Sequence, residues 1–353
     1  MTRTERVAPA DIRRAKEENP SLRERDLARQ LGISEAEYVA AWCGQGTVRI
    51  APRVRELLTG LEAIGEVMAL TRNDSAVHEK IGVYDKVVTG DQNALVLGEQ
   101  IDLRIFPKVW AHGFAVEKRE GGEVRRSLQF FDQAGEAVHK VHLRPASNLY
   151  AYQKLVESLA LDDQAQAVDV LPIDDDDVES RSVDPAAAQE LRERWSKMTD
   201  VHQFFGILRA VRMTRHQAVK SIGEDYAWQL DRDALMAMLR LAANDAVPIM
   251  CFVGSRGCIQ IHSGPIRNIK PIGPWINILD ETFNLHLRFD HVAELWAVRR
   301  PTKDGHVTSL EAYGEDKKLI TQFFGQRHEG ETERADWRML AENLPRVPRL
   351  TAA

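Results

Sequence analysis

The chain carries the same pattern twice. Set against itself with a displacement of 182 residues, the distance from Ala115 to Ala297, it aligns over two long stretches without a gap. Ala115-Val116 falls on Ala297-Val298, Ser127-Leu128 on Ser309-Leu310, Leu103 on Leu285 and Met68 on Met250, while Phe131 meets Tyr313 and Phe114 meets Trp296. Spacing and side-chain character persist together, so one supersecondary arrangement is built two times. A chain of 353 residues also suits two cores better than one.

Within each copy the apolar residues alternate. Leu103 to Phe106, Phe114 to Lys118 and Leu128 to Phe131 read as strands, the last two flanking Glu120-Gly121-Gly122-Glu123, with Thr302-Lys303-Asp304-Gly305 as the counterpart turn. Tight polar turns between short strands imply antiparallel hairpins. The expected fold is therefore α+β: two tandem repeats, each a large antiparallel meander sheet with helices. Pro20 to Arg29, then Leu31-Gly32-Ile33-Ser34, then Glu35 to Ala41 reads as helix, turn and helix with Ser34 as N-cap. Asp200 to Ala210, Met213-Thr214 and Arg215 to Ile222 repeat it at a displacement of 180, the distance from Ser34 to Thr214. Asp174-Asp175-Asp176-Asp177, between Pro172 and Ser180, Ser182 and Pro185, repels itself and reads as linker. The division expected is an N-terminal repeat over 1–160, an acidic linker over 161–184 and a C-terminal repeat over 185–345.

Composition narrows the function. With 44% hydrophobic and 28% charged residues the chain is an ordinary globular one, and a net charge of −6 gives no general attraction to nucleic acid or anionic membrane. Cys43, Cys251 and Cys258 are odd in number and lack zinc-site or disulfide spacing, which favours a reducing compartment. No apolar stretch follows the basic start, and none elsewhere is long enough to span a membrane, so the cytoplasm is expected.

In a duplicated scaffold the packing residues are shared, so a polar residue facing an apolar counterpart is a candidate functional addition. His202 is such a residue, with Leu22 opposite, near the start of a helix whose Val201, Phe204, Phe205 and Leu208 suggest an apolar stripe. On the strand Ile101 to Phe106, Leu103 and Ile105 share one face while Asp102, Arg104 and Phe106 share the other. Arg215, Arg299 and Arg300 read as surface arginines by default.

Four segments carry a resemblance across nearly the whole chain, from about Ile12 to Leu344. They are Trp195 with Met198 through Phe205, Asp102 through Phe106, Leu295 through Pro301, and Phe323-Phe324-Gly325. In these the sequence resembles the HemS and ChuS family of bacterial haemin-degrading and haem-transport proteins. The resemblance implies haem as cofactor, His202 as its axial iron ligand, and Arg104 on the opposite, distal face. It implies that Arg215 and Arg300 pair with haem propionates while Phe106, Phe252, Gln322 and Phe324 line the pocket. The family often has Lys where Arg300 stands, and an aromatic alcohol where Phe324 stands. Residues from both copies then share one haem cleft between the repeats.

Haem handling, meaning trafficking, sequestration and haemin degradation for iron acquisition, is the function this implies, with a haem-uptake transporter and a downstream acceptor or reductase as partners. A true haem-degrading oxygenase, with Arg104 as a catalytic residue, is the alternative, and the residues do not decide between them. The remote alternative is DNA binding through the helix-turn-helix pattern of Asp26 to Tyr38, but its second helix opens with Ser34, Glu35 and Glu37, which phosphate repels.

Overall fold

The duplication is expressed first in the order of the elements. In the first copy α1 (Pro9–Glu18), α2 (Glu24–Leu31) and α3 (Glu35–Ala40) precede β1 (Thr47–Ile50) and α4 (Val54–Ile64). Strands β2 (Val67–Arg72) and β3 (Ala76–Gly82) follow, then a meander of β4 (Val87–Thr89), β5 (Ala94–Leu97) and β6 (Asp102–Ile105). The longer β7 (His112–Glu120), β8 (Glu123–Phe131) and β9 (Ala137–Leu143) come next, and α5 (Leu149–Leu159) closes the copy. The second copy opens with α6 (Pro185–Ser196), α7 (Gln203–Val211), α8 (Arg215–Ser221), β10 (Ala227–Leu230) and α9 (Ala234–Asn244). It continues through β11 (Ile249–Gly254), β12 (Cys258–Gly264), and the meander β13 (Ile269–Ile272), β14 (Trp275–Leu279) and β15 (Phe283–Arg288). Last come β16 (Glu294–Thr302), β17 (Gly305–Tyr313), β18 (Leu319–Gly325) and α10 (Ala335–Glu342). The structure, a computed structural model, describes residues 7–173, 182–328 and 330–347, so the linker residues Asp174 to Asp177 and Ser180 lie outside the described residues.

Two nine-stranded antiparallel sheets result, ordered β1-β7-β8-β9-β2-β3-β15-β14-β13 and β10-β16-β17-β18-β11-β12-β6-β5-β4. The first six places of each are filled by corresponding strands, which is the duplication restated as hydrogen bonds. The chain forms two compact units, and neither is continuous in sequence: Gly254–Gln260 belongs to the first unit and Asp74–Val77 to the second. Part of the segment expected as linker is also packed, since Val168 is buried with the helices of the first unit.

Local chemistry explains the turns and caps. Glu120 pairs with Glu123, so Gly121 and Gly122 alone make the β7–β8 turn, at φ of 59° and 87° where only glycine is comfortable. In the second copy Thr302 pairs with Gly305, and Gly305 takes the positive φ. Ser34 accepts from the Glu37 amide while the Glu37 side chain accepts in return from the Ser34 amide, and Thr214 with Gln217 repeats this capping box. The first of each helix pair starts later than the apolar pattern suggests, at Glu24 and at Gln203.

Each unit has helices on both faces of its sheet. In the first, Leu57, Leu61 and Leu155 of α4 and α5 pack on Ala69, Leu128 and Val141, while Ile12, Leu27 and Tyr38 of α1 to α3 pack with Phe114 and Phe131. In the second, Leu235, Leu239 and Trp337 of α9 and α10 meet Leu310 and Phe323, and Leu191, Trp195, Phe204 and Leu208 of α6 and α7 meet Val298. The candidate DNA-reading helix α3 belongs to this packing: Glu35, Ala36, Tyr38, Val39 and Ala40 are all buried.

A polar chain runs through the first core. Tyr84 Oη lies 2.6 Å from His139 Nε2, His139 Nδ1 lies 2.8 Å from Thr71 Oγ1, and Thr71 donates to Cys258 Sγ over 3.5 Å. With the Thr71 proton directed at sulfur, His139 donates from Nδ1 and accepts the Tyr84 proton at Nε2, a fully satisfied neutral imidazole. Burial pushes its pKa down to about 3, because the charged form would lose its hydration. The unfolded chain therefore takes up a proton from about pH 6.5 downward that the folded one refuses, so stability falls as pH drops from about 6.5 towards 3. Thermal melting of the wild type should show a loss approaching about 1.4 kcal/mol per pH unit from this residue below pH 6. Replacing His139 by Gln should remove that slope; equal slopes in both proteins would show that His139 stays protonated in the fold.

Candidate functional site

The chemistry of the second unit is concentrated on the sheet face beneath α7 and α8. Glu311 on β17 is fully buried, yet its carboxylate is the point at which several of the expected site residues meet. Arg300 of β16 donates to Oε1 over 2.5 Å, Gln322 of β18 over 2.9 Å, Ser309 over 3.0 Å and Arg215 at the start of α8 over 3.3 Å. Tyr313 donates to Oε2 over 2.5 Å. Burial alone would push the carboxyl pKa up; the guanidinium groups of Arg300 and Arg215 outweigh this, and the pKa is held down to about 2.

The two arginines differ in what remains available. Arg300 is 3% exposed, not a surface residue, and donates from Nη1 to Ser309 over 2.9 Å as well as to Glu311. Its guanidinium lies 4.4 Å from the centre of the Phe204 ring. The Arg215 side chain keeps 17% of its surface, and its guanidinium stands 4.9 Å from the Phe204 ring and 5.4 Å from that of Phe205. Phe204 is thus a buried floor for both cations, a favourable arrangement for guanidinium on an aromatic face.

His202 stands just before α7, where residues Asp200 to His202 form a turn rather than helix. Asp200 accepts from the His202 backbone N–H over 2.7 Å and from ring Nδ1 over 2.8 Å. These bonds, the backbone one foremost, lower the Asp200 pKa. Nδ1 is engaged by Asp200 and the side chain is 79% exposed; in the neutral ring Nε2 is then the nitrogen that carries the lone pair. The apolar stripe of α7 is Phe204, Ile207, Leu208 and Val211, whereas Phe205 is 54% exposed. Helical spacing puts Phe205 on the same side as His202, and at Gly206 an added Cβ would meet no atom within 4 Å. An imidazole, a bare aromatic ring and open space therefore adjoin.

Of the other expected residues, Phe252 on β11 and Phe324 on β18 touch with ring centres 5.1 Å apart, and Phe252 is paired with Gln322 in the ladder. Arg104 and Phe106 belong to the first unit. Leu103 and Ile105 are fully buried and Asp102, Arg104 and Phe106 partly exposed, as the alternation requires. Arg104 pairs with Asp102 on its own strand and donates to the Leu103 carbonyl over 3.2 Å.

Sequence reasoning missed Glu311 and Asp200. Asp200 lies inside the segment Met198 through Phe205, but only the tertiary structure sets its carboxylate against His202. Glu311 had a signal in the repeat, where Gln129 is its counterpart, and Glu35 stands where the second copy has Arg215. The first unit has a buried acid too: Glu35 pairs with Arg72 and Lys140. Burial opposes ionisation there, the two cations overcome it, and the pKa falls to about 2. The acid is on the helix in one copy and on the sheet in the other.

Fold and site together describe a duplicated α+β binding protein in which one copy carries an exposed imidazole, exposed aromatic surface and clustered guanidinium groups. Residues 32–159 and 212–344 match the family described as the haemin-degrading HemS.ChuX domain. The hemin transport protein HmuS of Yersinia pestis is 39% identical over 325 residues, 92% of this chain and 93% of that one. Holo-PhuS, a heme-binding protein from Pseudomonas aeruginosa, superposes with a TM-score of 0.91 at 41% identity over 96% of this chain and 99% of its own. The heme degrading enzyme ChuS of Escherichia coli O157:H7 gives 0.85 at 37% identity over 94% and 97%. The chain belongs to the HemS/ChuS family of haemin-degrading and haem-transport proteins. No helix among the described residues is long and apolar enough to cross a membrane.

Glu311 should therefore matter to stability as well as to the site. Replacing it by Gln leaves Arg300 buried without a counter-charge, and unfolding by urea should show a loss of about 3 kcal/mol. The double replacement Glu311→Gln with Arg300→Met removes both charges and should recover most of that loss. A double variant no more stable than the single one would mean that packing, not charge pairing, explains the effect.

Proposed function

We propose that this protein binds haem in the cytoplasm, taking it from an uptake transporter and passing it to a downstream acceptor or reductase or yielding its iron. The observation that carries the reading is His202, whose Nδ1 is held by Asp200 at 2.8 Å while its side chain is 79% exposed, three residues before the exposed Phe205. A neutral imidazole donates to haem iron, apolar rings cover a macrocycle and guanidinium groups pair with propionates. The residues present fit those requirements, with His202 as axial ligand, Phe205, Phe252 and Phe324 as aromatic surface, and Arg215 and Arg300 supplying positive charge. The names of the relatives, a hemin transport protein and a heme-binding protein, support the same reading.

In this proposal Asp200 orients His202 by accepting the Nδ1 proton, which leaves Nε2 as the nitrogen that would meet the iron. Gln322 and Phe106 complete the lining. Bound haem would supply an iron centre that reacts with oxygen once reduced. Degradation in the presence of reductant can also come from peroxide released into solution, so binding is the function proposed and ring opening the second reading. That second reading is favoured by the name of one relative, a heme degrading enzyme, and rests on Arg104, whose partly exposed guanidinium would stabilise negative charge on the distal side.

Titration of the ligand-free protein with haem should give a saturating Soret band at one haem per chain. His202→Ala should change the Soret and visible bands and weaken binding; a wild-type spectrum and affinity in that variant would remove His202 from the site.

Arg104→Ala should leave haem affinity within about tenfold, roughly 1.4 kcal/mol, because an axial bond and an apolar pocket hold haem without a distal cation. Loss of the macrocycle absorbance with reductant and oxygen is then followed with and without catalase. Catalase-resistant loss that slows in Arg104→Ala establishes catalysis. Loss abolished by catalase and indifferent to Arg104 leaves a carrier.

A further inference from the structure

We propose that Glu311 sets how many ligand carboxylates the cationic cluster of the second copy accepts: it permanently neutralises one guanidinium, so the cluster takes one carboxylate and leaves a second to solvent. The proposal rests on the haem reading and deepens it by fixing which part of a dicarboxylate porphyrin is recognised.

The hydrogen bonds fix the charge of the cluster. Arg215 and Arg300 are the cations bonded to Glu311; Gln322, Ser309 and Tyr313, its other partners, are neutral. Two positive charges and one negative leave a net single positive charge. Arg300 cannot serve as the receptor while Glu311 is present. It is 3% exposed, its Nη1 and Nη2 are committed to Ser309 and Glu311, and it lies against the faces of Phe204 and Trp195. Drawing it out would strand a buried carboxylate that the pairing now keeps ionised, at a cost greater than one exposed ion pair returns.

Arg215 has the opposite character. Among the described residues its hydrogen bonding is a single contact of 3.3 Å, at the long end of the range, and part of its side chain reaches solvent. Its guanidinium is nonetheless fixed against Phe204 and Phe205, so it is ordered but under-used. A carboxylate approaching the exposed side gains a charge-assisted and bidentate partner. Once it has bound, the cluster is neutral, and a second carboxylate meets no remaining positive charge there. Glu311 is thus a positioning residue that converts a pair of arginines into a receptor for one acid group.

The test is an affinity ladder on the full chain, using ferric protoporphyrin IX as the free diacid, its monomethyl ester and its dimethyl ester, each titrated by the Soret band. In the wild type the step from diester to monoester should strengthen binding at least tenfold, and the step from monoester to diacid less than threefold. Glu311→Gln frees the second guanidinium and should make the second step tenfold as well. Glu311→Gln with Arg300→Met restores a net single positive charge and should restore the wild-type ladder, which a purely structural role for Glu311 does not foresee. Should the single Gln variant fail to fold, Arg215→Gln decides: with only the Arg300–Glu311 pair left, the ladder should be flat. Two equal steps in the wild type, an unchanged ladder in Glu311→Gln, or a persistent first step in Arg215→Gln would overturn the proposal. If none of the three porphyrins gives a saturable Soret band, the haem reading itself fails and this inference with it; tight binding with an even ladder defeats only the inference.

Discussion

A carboxylate buried in a protein interior keeps its charge only if cations stand against it, and in both units of this protein one does so. Glu311 holds Arg215 from the helix above it and Arg300 from the neighbouring strand, while Glu35 holds Arg72 and Lys140. Each cluster ties the second helix of the capped pair to the face of the sheet, in a buried setting where charge pairing is less screened than at the surface. The aromatic packing around it follows, since Phe204 and Trp195 in one unit and Phe131 in the other lie under the cations so positioned.

Reversal of sign between the copies shows how a duplicated scaffold acquires a site. With the acid on α3, the cations sit on the sheet and the first unit closes on itself. With the acid on β17, a guanidinium sits on α8, partly exposed, where it can be reached from outside. The same exchange of roles separates Leu22, which packs against its own helices, from His202, which turns outward on Asp200. The family to which the chain belongs is one of haem handling, and His202 and Arg215, two of the residues proposed to hold haem, stand where the first copy has Leu22 and Glu35.

The compact units also differ from the division that the acidic tract suggests. Gly257 accepts from the Phe106 backbone and the Trp110 indole, and Ser75 accepts from the Arg288 backbone. Such bonds draw short segments into units that their place in the sequence does not indicate. Because a backbone hydrogen bond carries no side-chain signature, no pattern of apolar residues announces it.

The sequence by itself determined the repeat, the α+β class, the capped helix pairs, the β7–β8 turn at Gly121-Gly122 and, through four segments, the family. The repeat and the family come from matching whole segments, and the others are local: periodicity, a capping residue or a glycine at positive φ is legible because its cause lies within a few residues. The contrast with Leu22 marked His202 only as a candidate, and its proposed role came from the family resemblance. The tertiary structure alone decided that Arg300 is buried, that Glu311 gathers Arg300, Arg215 and Gln322, and that Asp200 rather than a helix end holds His202. Residues 215, 300, 311 and 322 lie on four different elements, and a carboxylate chooses its partners by distance in space, which pairing of strands and packing of helices set and sequence spacing does not.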